Sequence, residues 1–163
     1  MKPRKTLIAA NWKMHKTVGE AVSFVQAMQH EVHSLDDREV IIAPPYTLLP
    51  AVRAAMTRAG FKLSAQNCHW EDQGAYTGEI SCAMLQDVGC DCVIIGHSER
   101  RHVFGETDEW IRRKLNAAVN QLDAPDADAG AARLFISSRF PDARVFDVSA
   151  LRNVLTIDVD ARM

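Results

Sequence analysis

Four short strand-like runs, each followed by a helical pattern, limit what this chain can fold into more than any other feature. Leu7–Ala10, Val40–Ala43 and Cys92–Ile95 are apolar and rich in β-branched residues, while Lys62–Asn67 is more polar. They recur at intervals of about 23 to 33 residues, near the size of a strand–helix–strand unit. Helix signals fill the gaps. Thr17 stands three residues before Glu20, the spacing of a capping box, and Ala21, Phe24, Val25 and Met28 follow at helical intervals. Leu48, Leu49, Val52, Ala55 and Met56 form a second apolar face, with Gly60 placed to end it in the left-handed conformation. Ser81 caps a short helix bearing Met84, Leu85 and Val88, which Gly89 ends. Thr107 caps a last one, in which Ile111, Leu115, Ala118 and Val119 share a face. Such alternation predicts parallel strands, right-handed crossovers and a sheet covered on both faces. Four strands leave one flank of that sheet open, so the chain is expected to continue beyond them.

The densest chemistry lies at Asp91–Arg101. Its apolar strand runs into Gly96, which allows the backbone to turn, and then into His97 and Glu99. In a parallel α/β sheet the carboxyl ends of the strands are where ligands bind, because the crevices between the loops open there. A histidine taken alone more often only hydrogen-bonds its neighbours. This one is accompanied by further motifs.

Composition narrows the alternatives. A net charge of −2 over 163 residues gives no general attraction to nucleic acid or an anionic membrane. Cys68, Cys82, Cys90 and Cys92 include no CxxC pair and read as core thiols in a reducing compartment, without metal. Met1–Lys5 is followed by too few apolar residues for a signal peptide, and no apolar run approaches transmembrane length. A cytoplasmic protein is expected.

The character of the chain changes near Asn120. Residues 120–163 contain no Lys, His, Trp, Tyr, Cys or Glu, and their single glycine is Gly130. Residues 123–130 read as a loop or linker, and Leu134–Ile136 and Val145–Val148 as short strand candidates. Val154–Val159 alternates with period two and is a candidate to cover one open sheet edge. Unless the tail adds strands, partial folding or self-association is expected.

Four stretches, in order, resemble the triosephosphate isomerase family: Ala9–Lys16, Gln66–Asn67 with Gly74–Ser81, Ile94–Arg101, and Phe104–Asp108. The resemblance covers about residues 5–119. It implies an incomplete (β/α)8 TIM barrel: an N-terminal half in residues 1–119 and a divergent tail in 120–163, either frameshifted or weakly structured. Family enzymes interconvert dihydroxyacetone phosphate and glyceraldehyde 3-phosphate through an enediolate, in glycolysis and gluconeogenesis, without a cofactor. By resemblance, His97 is the electrophile facing the substrate oxygen, Lys13 the cation at the substrate, and Asn11 the residue that positions Lys13. A glutamate base paired with a neutral histidine is the family's known chemistry, carried over by resemblance. Glu99 resembles the family's second carboxylate beside Lys13 and His97; it also reads as a plain helix-start acid. Tyr76, Thr77 and Gly78 lie in the loop that in the family reaches into the partner subunit of a homodimer.

Other parts of the family pattern are missing from these residues. No Pro-Val-Trp-Ala motif occurs, so the carboxylate base that precedes it has no counterpart, and the last glutamate is Glu109. Gly130 alone does not build the family's later phosphate-binding loops. Asp142, within Phe140–Ala143, has neither the context nor the reach to replace the base. The expectation is that the chain by itself is inactive or very weak on triose phosphate. Three accounts fit: an interrupted isomerase, a fragment active when complemented by a second-half chain, or a non-catalytic half-barrel interaction protein.

Overall fold

The computed structural model describes residues 6–36, 38–122, 133–136 and 154–157. The order is β1 (Thr6–Asn11), α1 (Val18–Glu31), β2 (Arg38–Ala43), a 3-10 turn (Tyr46–Leu48) running into α2 (Leu49–Ala55), β3 (Phe61–Ala65), α3 (Cys82–Asp87), β4 (Cys92–Ile95), α4 (Ser98–His102), α5 (Asp108–Leu122), β5 (Arg133–Ile136) and β6 (Val154–Ile157). The strands form one sheet in the order β5-β4-β3-β2-β1-β6. Every pairing is parallel. The four βα units make a curled half-barrel, an incomplete TIM barrel as expected.

The unbroken apolar character of the strands is explained by burial on both faces. Successive residues point to opposite sides, so Ile42, Leu63, Val93 and Ile95 join the larger cluster with Ala21, Val25, Leu49, Val52 and Ala118 from the helices. Their neighbours Leu7, Ile41, Ala43, Cys92 and Ile94 form a smaller cluster on the other face. Lys62–Asn67, read as the more polar strand, is strand only over Phe61–Ala65, and Ser64 within it is fully buried.

Several local signals place the elements well. The Glu20 carboxylate accepts the Thr17 N–H at 2.7 Å, closing the glutamate side of the capping box. That bond lowers the Glu20 pKa, so the cap contributes above the ordinary carboxylate range and is lost as pH falls through the lowered value. Ser81 Oγ accepts the Met84 N–H at 3.2 Å, and Thr107 Oγ1 the Trp110 N–H at 3.2 Å.

Three expectations need correction. Phe24 is 42% exposed; its ring meets the edge of Trp12 and lies under the Lys16 ammonium, while Gln29 takes the buried place on α1. Gln29 is buried because its amide donates to Ala55 O and accepts the N–H groups of Thr57 and Arg58, which tie α1 to the end of α2. Gly60 has φ +93 but follows the end of α2 by several residues, so its left-handed backbone serves the turn into β3. On α5, Val119 is 39% exposed and Lys114 is buried in the apolar stripe.

The tail contributes strands to both flanks. β5 runs beside β4 with Cys92 opposite Arg133, and β6 beside β1 with Leu7 opposite Val154. The expected edge strand at Val154–Val159 is thus present over Val154–Ile157. The strand candidate at Val145–Val148, the linker at 123–130 and Asp142 lie outside the described residues.

Leu63 is fully buried on the helix-facing side of the sheet. Its truncation in Leu63→Ala is expected to lower the unfolding free energy by about 2–5 kcal/mol. Phe24→Ala, at the surface, is expected to cost about 1 kcal/mol or less. Urea titrations followed by circular dichroism measure both.

Candidate functional site

β1 delivers Asn11 and β4 delivers His97 to the carboxyl-end rim of the sheet, where both are buried. Asn11 Oδ1 accepts the N–H of Lys13 at 3.0 Å. Lys13 itself has φ +52, a left-handed backbone that costs a non-glycine residue roughly 1–2 kcal/mol. That geometry is held from a second direction by Gln66, whose side-chain amide donates to Lys13 O and to Ala43 O, each at 2.8 Å. The strained turn aims the lysine at the histidine loop. Lys13 Nζ stands 3.2 Å from Glu99 Oε1, in a pair whose side chains are 33% and 45% exposed. A pair so wet contributes at most about 1 kcal/mol to stability, so its value lies in where it holds the ammonium.

The turn at β4 depends on Gly96, whose φ is +73; an added Cβ would meet only ordinary contacts there, so backbone conformation selects the glycine. His97 follows as the N-cap of α4, and its Nδ1 accepts the Glu99 N–H at 3.2 Å. Glu99 Oε2 also lies 3.5 Å from the same nitrogen. One nitrogen does not serve both as acceptor and as donor. A main-chain N–H always carries its proton and is nearer, so Nδ1 is the acceptor. The proton of a neutral ring then sits on Nε2, as a donor available to a ligand. Glu99 lies in the first turn of α4 and pairs with Lys13.

Beneath this rim lies a buried charged network that the sequence reading left unassigned. Glu106, 4% exposed, accepts from Arg100 Nε at 2.7 Å and from Lys114 Nζ; Lys114, 2% exposed, also donates to Asn67 Oδ1 at 2.7 Å. Arg100 belongs to α4, Lys114 to α5, and Asn67 follows Gln66 after β3. The carbonyl of Asn67 accepts the Tyr46 hydroxyl at 2.5 Å, and burial raises the phenol's pKa. The same ionic cluster therefore ties the helix behind His97 to the segment that holds Lys13. Lys114 carried a readable signal, because a lysine among Ile111, Leu115 and Ala118 occupies a core position and must find a partner there. Gln66 carried none beyond its place in a motif.

Tyr76, Thr77 and Gly78 lie in an exposed loop. Its internal order comes from Tyr76, whose ring lies 4.5 Å from the His69 ring, with His69 stacked on Trp70 at 4.3 Å. Gly78 has φ +92 and supplies the left-handed step at the end of the loop. The structure thus brings Asn11, Lys13, His97 and Glu99 together, and presents Thr77 outward. Met14, Val103 and Phe104 are also exposed, at 92%, 72% and 62%. Among the described residues no group of three His, Cys, Asp or Glu side chains is placed to hold a metal ion, and no helix is long and apolar enough to cross a membrane. Of the thiols, Cys68, Cys82 and Cys92 are buried, and burial pushes the Cys90 pKa up to about 12.

The sequence model of the triosephosphate isomerase family matches residues 6–123. The chain belongs to the triosephosphate isomerase family. Among its relatives, the triosephosphate isomerase of Aquifex aeolicus is 51% identical over 115 residues, covering 71% of this chain and 47% of that protein. The enzyme of that name from Chloroflexus aurantiacus is 46% identical over 145 residues, covering 83% of this chain and 58% of its own length. That of Alkaliphilus metalliredigens is 42% identical over 157 residues, covering 96% of this chain and 60% of the relative. The chain thus spans about half the length of the curated relatives it matches. The Alkaliphilus alignment also continues past residue 123, where the triosephosphate isomerase family match stops.

Two measurements test this geometry. Nitrogen-15 NMR of the neutral His97 ring is expected to show an unprotonated Nδ1 and a protonated Nε2; the opposite tautomer would contradict the structure. Glu106→Gln strands the buried Lys114 ammonium without its anion, and is expected to cost about 3–5 kcal/mol in chemical denaturation.

Proposed function

We propose that this chain supplies the electrophile half of a triose phosphate isomerase site, acting on dihydroxyacetone phosphate and glyceraldehyde 3-phosphate. The single observation that carries the reading is the assembly of Lys13, Glu99 and His97 with the histidine Nδ1 tied to a main-chain N–H. In that arrangement Nε2–H donates to the carbonyl oxygen of the substrate. As a proton leaves the adjacent carbon, charge grows on that oxygen, and the donor and the Lys13 ammonium stabilise the growing charge more than they stabilise the ground state. Asn11 and Gln66 set the lysine before substrate arrives, and Glu99 holds the ammonium from the far side.

Abstracting the proton needs a carboxylate base, and holding the substrate needs donors for its phosphate. Neither is found in the motifs of these 163 residues, since Glu109 is the last glutamate and the tail has one glycine. Loss of general acid–base catalysis alone removes about 10²–10⁴-fold in rate. These residues by themselves are therefore inactive or very weak; in the alternative of a complemented fragment, a second-half chain supplies the groups they lack. Residues 1–119 act in this reading as the half-barrel and 120–163 as a divergent tail. The exposed loop bearing Thr77, together with Met14 and Phe104, fits the homodimer contact of intact family members, in a cytoplasmic setting within glycolysis and gluconeogenesis. The reaction calls for no metal or organic cofactor. A second reading, a non-catalytic interaction protein, draws on the same exposed loop.

A coupled isomerase assay on the purified chain, with His97→Gln as control, tests the proposal. No rate above the buffer background is expected from either protein. Activity in the chain that His97→Gln abolishes would mean that these residues hold a base of their own. Addition of a chain carrying the family's second half is expected to produce activity with the unsubstituted protein and none with His97→Gln.

A further inference from the structure

We propose that Cys68 and Cys82 form a peroxide-sensitive site, in which Cys82 is oxidised first and Cys68 then closes a disulfide across the base of the loop bearing Thr77. Neither thiol belongs to the Lys13–His97 rim, so the site does not depend on the catalytic reading. Two stretches of chain meet here, one leaving β3 and one entering α3. They are joined by the N–H of His69, which donates to Ile80 O at 2.8 Å, and by a bridge that sets His69 opposite Ser81. Cys68 stands just before that bridge on one stretch, and Cys82 just after it on the other. Both are buried in the same core cluster, and both are present as thiols. Cys82 Sγ lies 3.9 Å from the carbonyl oxygen of His69, the chain neighbour of Cys68. The two thiols are also hydrogen-bonded to each other.

Burial usually makes a thiol inert, and Cys68 is buried completely. Cys82 differs in two ways. With Leu85, Cys90, Cys92 and Ala118 it lines an apolar cavity between α3, β4 and α5, roomy enough for a water-sized molecule. The hydrogen bond from Cys68 also lowers the Cys82 pKa, against the opposing effect of burial, while that bond and burial raise the pKa of Cys68. Thiolate character therefore falls on the sulfur at the cavity, and the proton stays on the sulfur behind it. Redox-responsive cysteines combine these features, an accessible sulfur of lowered pKa beside a resolving thiol. The chemistry balances with hydrogen peroxide as the oxidant. The Cys82 thiolate attacks one peroxide oxygen, the O–O bond breaks, and the departing hydroxide takes up a proton as water, leaving a sulfenic acid. The Cys68 sulfur then attacks the sulfenic sulfur, the S–O bond breaks, and the hydroxyl leaves as a second water with the Cys68 proton. Two thiols lose two electrons in all, and one peroxide becomes two waters. The new bond closes residues 68–82 into a ring and takes conformational freedom from the unfolded chain.

The test uses the full chain, reduced and then treated with a small excess of hydrogen peroxide in native buffer. Alkylation, digestion and mass spectrometry are expected to show a Cys68–Cys82 cross-linked peptide as the main product, cleaved by dithiothreitol, with Cys90 and Cys92 recovered as alkylated thiols. Recovery of Cys82 as an alkylated thiol, or its cross-linking to Cys90 or Cys92 across the cavity, would overturn the proposal. Two variants test the order of events. Cys68→Ser is expected to stop at the Cys82 sulfenic acid, which dimedone labels, and Cys82→Ser to leave Cys68 unlabelled. Label on Cys68 in the second variant, or none on Cys82 in the first, sinks the assigned roles. The oxidised chain is also expected to unfold at a higher urea concentration than the reduced one. An equal or lower midpoint would mean that the bond forms against the fold, and would count against a built pair. Should either variant lose its circular dichroism, the cross-link map of the unsubstituted chain decides alone.

Discussion

The carboxylate of Glu106 is the interaction on which the site's geometry depends. It sits between two cations from different helices, Arg100 and Lys114, in a position withdrawn from water. A buried ion cluster of this kind is a poor source of net stability, because desolvation of each charge offsets most of the attraction. Its effect is one of position. Arg100 fixes the helix that begins just after His97, and Lys114 fixes Asn67, next to the glutamine that holds the Lys13 turn. The two loops that carry the reactive groups are thereby referred to one anion, although they arise from strands at opposite sides of the four-strand core.

That arrangement also shows where sequence reading reached its limit. The strands were legible because two-faced burial demands uninterrupted apolar runs, and Val40–Ala43 and Cys92–Ile95 satisfy that demand plainly. The helix starts were legible because a cap is a local matter of one hydroxyl or carboxylate within three residues, as at Thr17 and Ser81. Phe24 misled because helical spacing alone does not say how wide the buried stripe is, and the place beside it went to Gln29. A glutamine enters a core only when distant backbone groups satisfy it, and such partners do not show in local spacing. Asn11, Lys13, His97 and Glu99 could be named as candidates from their motifs. The reason Lys13 holds a left-handed backbone could not, since it rests on Gln66 far along the chain.

Sheet architecture and site are linked through edges as well. A closed barrel has none, whereas a half-barrel must deal with two. Among the described residues the tail meets one requirement of a barrel's second half, which is to pair with β1 and β4. Backbone pairing asks little of sequence beyond strand propensity, whereas a catalytic base and a phosphate cradle ask for particular residues at particular places.

The contacts around Lys13 have a further consequence for the order in which the protein is made. Its backbone is held by Asn11 and by Gln66, and its parallel neighbour β2 lies between them in the chain. All of these residues leave the ribosome before His97 does. The groups that hold the lysine turn thus all precede His97 in the chain, and the buried lysine that joins the two loops follows it.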